Sequence, residues 1–272
     1  MNDFNIKFGI IGIDHRHVYT QAQFLVELGA ELAGWYTEGS PNTLAGFRKR
    51  FPKAKRFTDP RSLLEDPNIQ VILTSAIPSE RAKISIAAMN HGKDVMSDKP
   101  GCVSFGDLQE LRQTVYKTGR IWSVDFSERF EVPAVTLASK LVSDGAIGDI
   151  IHTLGLGPHR LNSESRPNWF FDPNQNGGIL ADIGSHQIDQ FLFFTKSEHT
   201  EITLASIRNM GHQEFTNFSD FGEIALRSKK ASGYIRLDWF TPDALPTWGD
   251  GRLFLLGTEG SLSLIHISEP TR

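Results

Sequence analysis

The sequence predicts an α/β protein built from two domains. A doubly wound parallel sheet comes first, and an α+β domain with a mostly antiparallel open sheet follows. In the first half, short β-rich runs alternate with helical patterns, which implies right-handed crossovers between parallel strands. In the second half, longer strand-like runs are separated mainly by loops. We therefore predict domains at residues 1–127 and 128–261.

The first half contains five predicted strands separated by helical patterns. A helix after the first strand carries Tyr19, Phe24, Leu25 and Leu28 on one face and ends at Gly29. Another helix covers 84–89, and Ser104 caps a third helix. The strands are predicted at 8–13, 31–36, 71–73, 94–96 and 121–124.

The second half has fewer helices and longer strand patterns. Helices are predicted at 135–143 and 185–194. Strands are predicted at 150–156, 202–207, 223–226, 234–240 and 253–256. Such strand runs, joined by loops, are typical of an antiparallel sheet.

Composition narrows the class of protein. The net charge of −4 over 272 residues argues against a nucleic-acid partner. No apolar run approaches the ~20 residues of a membrane helix, and no signal peptide is expected. The single cysteine, Cys102, excludes an intrachain disulfide and a cysteine-based zinc cluster. A cytoplasmic location is therefore the default expectation.

The first predicted strand leads into a turn that resembles a dinucleotide-binding loop. A Rossmann loop usually has glycines at the positions of Gly12, Asp14 and His17, and only Gly12 matches. A plain strand-to-helix turn is the alternative. Glu38 follows the second strand and mildly favours NAD over NADP, since a carboxylate repels a 2′-phosphate, although Glu38 could equally be a solvated loop residue. The predicted cofactor contacts are Gly12, Asp14, His15, His17, Glu38, Ser75, Pro78, Asp98 and Lys99.

Two further segments carry candidate catalytic groups. Lys99 follows the strand at 94–96, at the sheet edge where ligands of such folds bind. Asp182 and His186 lie four residues apart, which is one helical turn. A surface lysine and a structural histidine are the alternatives. A third metal ligand with recognisable spacing is missing beside Asp182 and His186, so no metal is predicted.

Polar and aromatic loop residues are candidates for substrate contact. His159, Arg160 and Trp169 follow the first strand of the second domain, and Arg129 lies where the chain leaves the first domain. Aromatic and cationic loop residues suit a hydroxylated or acidic ligand. Core or dimer packing is an equal alternative for Trp169.

These motifs, in this order, resemble the Gfo/Idh/MocA oxidoreductase family. The resemblance rests on the turn at Gly12, on Lys99, on Asp182 with His186, and on two glycine-bounded segments at 145–148 and 257–260. It implies that Lys99 hydrogen-bonds the reacting hydroxyl and the nicotinamide ribose. It also implies that Asp182 and His186 position the substrate and move its proton. The family usually has Glu at the position of Asp98.

The resemblance implies an NAD(P)-dependent oxidoreductase acting on a small polyhydroxylated substrate such as a sugar, cyclitol or sugar acid. The full-length protein is expected to be a homo-oligomer without nucleic-acid or membrane partners. Two alternatives are a non-catalytic NAD(P)- or sugar-sensing regulator and an NAD-dependent glycosidase. The immediate base is left open between His186 and Lys99.

The last segment is expected to be foreign to the fold. Residues 262–272 resemble the translation of a transposase adapter used in sequencing libraries. On this interpretation the second domain is incomplete, and the segment makes few contacts.

Overall fold

A computed structural model of the chain describes residues 6–267. The chain forms two units and passes from one to the other after Asp125, close to the boundary predicted at residue 127. The first unit also takes in Asn174–Gly177, and the second comprises Phe126–Pro173 and continues from Gly178. Within the described range, none of the helices has both the length and the apolar character needed to cross a bilayer.

The first unit contains a five-stranded sheet in the order β2-β1-β3-β4-β5, and its strand pairs are parallel. The predicted doubly wound sheet is confirmed. Its strands are β1 (Lys7–Ile11), β2 (Glu31–Tyr36), β3 (Val71–Thr74), β4 (Asp94–Asp98) and β5 (Trp122–Asp125). Its helices are α1 (Val18–Glu27), α2 (Leu44–Arg50), α3 (Arg61–Leu64), α4 (Pro78–Asn90) and α5 (Phe105–Thr118).

Strand order determines where this sheet can bind a ligand. The chain goes from β1 to β2 on one side and continues through β3 on the other, so the order reverses beside β1. In open α/β sheets, dinucleotides bind across such a reversal, beyond the carboxyl ends of the strands. Gly12 follows β1 at this edge, and Lys99 follows β4 at the same edge.

The second unit contains a six-stranded sheet in the order β11-β10-β6-β9-β8-β7. Among the described strands, β6 pairs with β9 in parallel and the other pairs are antiparallel, which confirms the predicted sheet. The strands are β6 (Ile150–Pro158), β7 (Glu201–Arg208), β8 (Phe221–Arg227), β9 (Ser232–Asp238), β10 (Arg252–Gly257) and β11 (Ser261–Ile265). Its helices are α6 (Ser127–Phe130), α7 (Pro133–Ser143), α9 (Gly178–Asp182) and α10 (Gly184–Thr195), whereas α8 (Pro173–Asn176) lies mainly in the stretch that belongs to the first unit.

Helix α10 packs closely on β6 because β6 presents glycine at the contact. A Cβ on Gly157 would lie 2.9 Å from Cγ2 of Ile183, and a Cβ on Gly155 would lie 2.9 Å from Cγ of Gln187. A larger residue at either position would push the start of α10 away from the sheet. The close approach fixes the first turn of α10, which carries His186.

The expectation that residues 262–272 make few contacts is wrong for 262–267. Strand β11 pairs with β10 in antiparallel register, with Leu264 opposite Leu253. Leu264 is 7% exposed and Ile267 is fully buried, and both belong to the core cluster that contains Leu255. Leu262 and Leu264 alternate with serines, which is the period of a half-buried strand. The part of the prediction that concerns 268–272 lies outside the described residues.

Deleting residues 262–272 is expected to destabilise the second unit. Full burial of a leucine or isoleucine side chain contributes ~1.5–3 kcal/mol, and the deletion removes Leu264 and Ile267 together. We expect a lower midpoint in urea unfolding. Ile265→Thr, on the exposed face of β11, is the control and should change little. An unchanged midpoint after the deletion would show that β11 adds nothing to stability.

Candidate active site

The turn after β1 requires glycine at position 12. Gly12 has φ +82°, and a Cβ on it would lie 2.8 Å from Cα of Ala76. Its N–H donates to the Tyr36 carbonyl at 2.8 Å, and its own carbonyl accepts from the N–H of Ser75 at 3.1 Å. The N–H of His15 donates to the Ser75 carbonyl at 2.8 Å. The turn is therefore held between the ends of β2 and β3.

A cavity of about 310 Å³ opens beside this turn. Gly12, Asp14 and Glu38 contribute its polar lining, and Leu64 and Ile77 are among its apolar walls. Apolar walls suit a flat base, and a carboxylate at the mouth suits ribose hydroxyls. The glycine cradle and this cavity together fit the adenosine half of a nicotinamide dinucleotide. Pro78, predicted as a cofactor contact, is buried as the first residue of α4.

Asp14 is electrostatically unfavourable in this cradle. Burial raises its pKa to about 6, against the lowering effects of a backbone hydrogen bond and of Arg81. The carboxylates of Glu38 and Glu80 raise the pKa of Asp14 further. Lys83 also lines the cavity. At neutral pH, Asp14 is therefore largely ionised at the point where a cofactor pyrophosphate would sit.

Cofactor binding is expected to strengthen as the pH falls through about 6, because protonation of Asp14 removes a charge that repels the pyrophosphate. If binding raises the pKa of Asp14 by a further unit, the affinity changes about tenfold across this range. Calorimetric titration with NADH at pH values on both sides of 6 tests this. Asp14→Asn should bind more tightly than wild type at pH 7 and lose the pH dependence. The same pH profile in both proteins would contradict the assignment.

Asp98 lies at the centre of a buried polar network. Its Oδ2 accepts from Nδ1 of His15 at 2.8 Å and from the Arg81 guanidinium at 3.0 Å, and its Oδ1 accepts from Nδ1 of His17 at 2.7 Å. Burial alone would raise the pKa of Asp98, but Arg81, His17 and His15 together hold it well below its usual value. Asp98 is fully buried, so it supports the turn from within the protein. Direct cofactor contact by Asp98 stays a prediction, and both of its oxygens already have protein partners.

Gln21 and Ser75 extend this network towards β5. The side-chain amide of Gln21 donates to the Asp125 carboxylate at 2.9 Å, and the Ser75 hydroxyl donates to the side-chain oxygen of Gln21 at 2.7 Å. Ser75 was expected to contact the cofactor, and it is fully buried. Its backbone N–H and carbonyl hold the turn, and its hydroxyl holds the side chain of Gln21.

Arg81 positions the backbone of Lys99. This role was not predicted from the sequence. Arg81 is 1% exposed and donates to the carbonyls of Ala76 at 2.8 Å, of Pro100 at 3.1 Å, and of Lys99. Lys99 is 4% exposed, so the alternative of a surface lysine is wrong. The available signal was the helical period: Arg81, Ser85 and Met89 share the buried face of α4.

The other two candidate catalytic residues lie in the second unit. Asp182 is the last residue of α9, and His186 is in the first turn of α10. His186 is fully buried, and its ring centroid lies 6.0 Å from that of Phe126 in an edge-to-face contact. Lys99 belongs to the first unit. The convergence of these three residues on one cleft therefore stays a prediction.

The predicted substrate residues already have partners within the second unit. Nδ1 of His159 lies 3.2 Å from the Gly157 carbonyl, and its Nε2 lies 3.8 Å from the Glu128 carboxylate. Glu128 is fully buried and accepts from the Gln187 amide at 2.8 Å. Trp169 is partly buried against the aromatic core of this unit, as the packing alternative expects.

The two arginines among these candidates also have structural partners. Arg129 pairs with Asp189, with one guanidinium nitrogen 2.9 Å from Oδ1, and lies 3.9 Å from the ring centroid of Phe130. Arg160 donates to backbone carbonyls of the 242–247 loop, among them that of Leu245 at 2.5 Å. Substrate contact by either arginine stays a prediction.

Comparison with known proteins identifies the class. Residues 6–126 match the model of the oxidoreductase family with an NAD-binding Rossmann fold, and residues 135–263 match the GFO/IDH/MocA C-terminal domain. The chain belongs to the Gfo/Idh/MocA oxidoreductase family.

Individual relatives agree with this assignment. A solved oxidoreductase structure from Erwinia carotovora atroseptica SCRI1043 is 40% identical, with a TM-score of 0.93 over 96% of this chain and 78% of that chain. Levoglucosan dehydrogenase of Pseudarthrobacter phenanthrenivorans is 32% identical over 56% of this chain and 40% of its own length. The NAD⁺-dependent scyllo-inositol 2-dehydrogenase of Bacillus subtilis is 27% identical over 75% of this chain and 57% of its own length. The chain thus spans about half the length of these two curated relatives.

Proposed function

We propose that this protein is an NAD(P)-dependent dehydrogenase. It transfers a hydride between the nicotinamide and a hydroxyl or carbonyl carbon of a small polyhydroxylated substrate. The observation that carries this proposal is the placement of Lys99, which follows β4 at the ligand-binding edge and whose carbonyl is held by the buried Arg81. Gly12 forms the dinucleotide turn at the same edge.

The chemistry requires a proton carrier as well as a hydride acceptor. A bound nicotinamide would supply the hydride-transfer chemistry, and a protein group would take the hydroxyl proton when an alcohol is oxidised. His186 is suited to this step because the two ring nitrogens of an imidazole can accept and donate a proton. Lys99 is the second candidate. It could take the proton only as a neutral amine, a form that burial beside a cationic nicotinamide would favour. Asp182 would orient the substrate beside His186.

The substrate class follows from chemistry and relatives together. Two relatives are named for an anhydrosugar and an inositol, both of which carry several hydroxyl groups. We propose a sugar, cyclitol or sugar acid as the substrate, and a homo-oligomer as the assembly.

A spectrophotometric screen tests the function. The 272-residue chain would be incubated with sugars, cyclitols and sugar acids and with NAD or NADP, and formation of reduced cofactor would be followed. Net reduction with one substrate class supports the proposal. Cleavage of a glycoside without net reduction would instead identify an NAD-dependent glycosidase. Tight cofactor binding without turnover on any compound would favour a regulator.

Cofactor choice is expected to favour NAD. Glu38 faces the cavity, and residues 37–45 contain no lysine or arginine. The structure adds nearby cations: Lys83 lines the cavity, and the guanidinium of Arg56 approaches the carbonyls of Thr37 and Gly39 at 3.5 Å and 3.4 Å. We expect NADH to bind more tightly than NADPH in calorimetric titrations, and Arg56→Ala to weaken NADPH binding more than NADH binding. Tighter binding of NADPH by the wild-type protein would contradict this preference.

A further inference from the structure

His15 occupies an unusual place in the dinucleotide turn. Its Nδ1 lies 2.8 Å from Oδ2 of Asp98. Because Asp98 is ionised, it can only accept hydrogen bonds, so Nδ1 of His15 carries the shared hydrogen. Burial and the neighbouring His17 lower the pKa of His15 to about 4. At neutral pH the ring is therefore neutral, and its Nε2 is a hydrogen-bond acceptor.

The position of His15 separates it from the adenosine cavity. That cavity is lined by Gly12, Asp14 and Glu38, and His15 is absent from its lining. His15 instead bonds to the end of β4, and the charge of Lys99 is close enough to influence its pKa. In a doubly wound sheet, the two halves of a dinucleotide lie on opposite sides of the strand reversal. His15 thus lies on the side of β3 and β4, where the nicotinamide riboside belongs. Its side chain is 18% exposed.

We propose that His15, oriented by Asp98, accepts a hydrogen bond through Nε2 from a hydroxyl or amide group of the nicotinamide riboside. This inference rests on the proposed function, because it assumes that a nicotinamide cofactor is bound. An acidic residue that fixes the tautomer of a histidine is the arrangement by which enzymes aim a ring nitrogen at a hydroxyl group. In this chain the pair would compensate for the missing glycines of the turn, since it adds a side-chain contact to the cofactor.

A metal ion is the competing explanation for this cluster. His15, His17 and Asp98 offer three possible ligand atoms within 4.8 Å of one another. However, the guanidinium of Arg81 lies 3.0 Å from the same carboxylate and already balances its charge. A divalent ion would displace both histidine–carboxylate hydrogen bonds and lie beside this buried cation. The charges therefore favour the hydrogen-bonded arrangement.

Titration with NADH and with ADP tests the proposal. His15→Ala should weaken NADH binding about tenfold, which corresponds to one lost hydrogen bond. It should leave the binding of ADP unchanged, because ADP lacks the nicotinamide riboside. His15→Gln, whose amide oxygen is also an acceptor, should recover part of the NADH affinity. His91→Gln, at an exposed histidine, is the control and should bind both ligands like the wild type.

Each remaining outcome has a defined meaning. Equal losses of NADH and ADP binding would show that His15 acts on the turn as a whole and would overturn the proposal, as would unchanged NADH binding. NADH affinity that disappears with EDTA and returns with Zn²⁺ in the wild type, but not in His15→Ala, would identify an ion site and overturn it. A wild-type protein that binds NADH yet oxidises no substrate would refute the dehydrogenase function and leave the His15 contact standing. A wild-type protein that does not bind NADH would refute both.

Discussion

Replacing Lys99 with alanine is expected to lower kcat by ~10²–10⁴-fold, the usual contribution of a positioned proton-transfer or hydrogen-bonding group. The structure supports a role at the reacting centre, because Lys99 is almost fully buried at the ligand-binding edge of the parallel sheet. Its backbone is held independently of its side chain, by the hydrogen bond from Arg81 to its carbonyl. The substitution should therefore remove the ammonium group and leave the surrounding backbone in place.

The comparison of turnover with binding separates catalysis from folding. ADP affinity should be unchanged in Lys99→Ala, since the adenosine cavity is lined by other residues. Lys99→Met retains most of the side-chain volume without the charge and should lose activity to a similar extent. Lys117→Ala, at an exposed lysine near the end of α5, is the matched control. Wild-type kcat in Lys99→Ala would remove Lys99 from the mechanism.

Strands could be predicted from the sequence where apolar residues are consecutive or alternate strictly with polar residues. The strand predicted at 71–73 corresponds to β3, which is apolar because both faces of a parallel sheet are covered. Strand β11 was not predicted, although Leu262 and Leu264 alternate with serine, because the segment also resembles an adapter sequence. The core accepts apolar side chains of suitable spacing and size.

The site was predictable only where a single residue marks the end of a strand. Gly12 and Lys99 follow β1 and β4, so the rule for ligand position in α/β sheets finds both. The supporting network could not be predicted, because its members meet through the fold. Gln21 and Asp125 are 104 residues apart in the chain and share a hydrogen bond of 2.9 Å. A charge on a buried helix face, as at Arg81, is the sequence signal that indicates such a network.

Asp98→Ala is expected to lower the free energy of unfolding by about 3–5 kcal/mol, because it leaves the buried Arg81 without its carboxylate. This is a large share of the ~5–15 kcal/mol that stabilises a typical domain. Asp98→Glu keeps the charge and should lose less, as far as the longer side chain fits. The pKa of Asp98 lies well below that of an aspartate in an unfolded chain. Its contribution should therefore be complete above the unfolded pKa and be lost only as the pH falls towards the folded value.

A double-mutant cycle, measured by urea unfolding, isolates the interaction free energy of Asp98 with Arg81. Arg81→Met also removes donors to the carbonyls of Ala76, Lys99 and Pro100, so it should be destabilising by itself. In combination with Asp98→Ala, the total loss should be smaller than the sum of the two single losses, because neither charge is then left unpaired. The exposed pair Lys7–Glu31, whose side chains are 34% and 58% exposed, is the control cycle and should show a coupling of ~0–1 kcal/mol. Additive losses at Asp98 and Arg81 would mean that the two charges are stabilised separately, and that the cofactor turn and Lys99 do not depend on a shared ion pair.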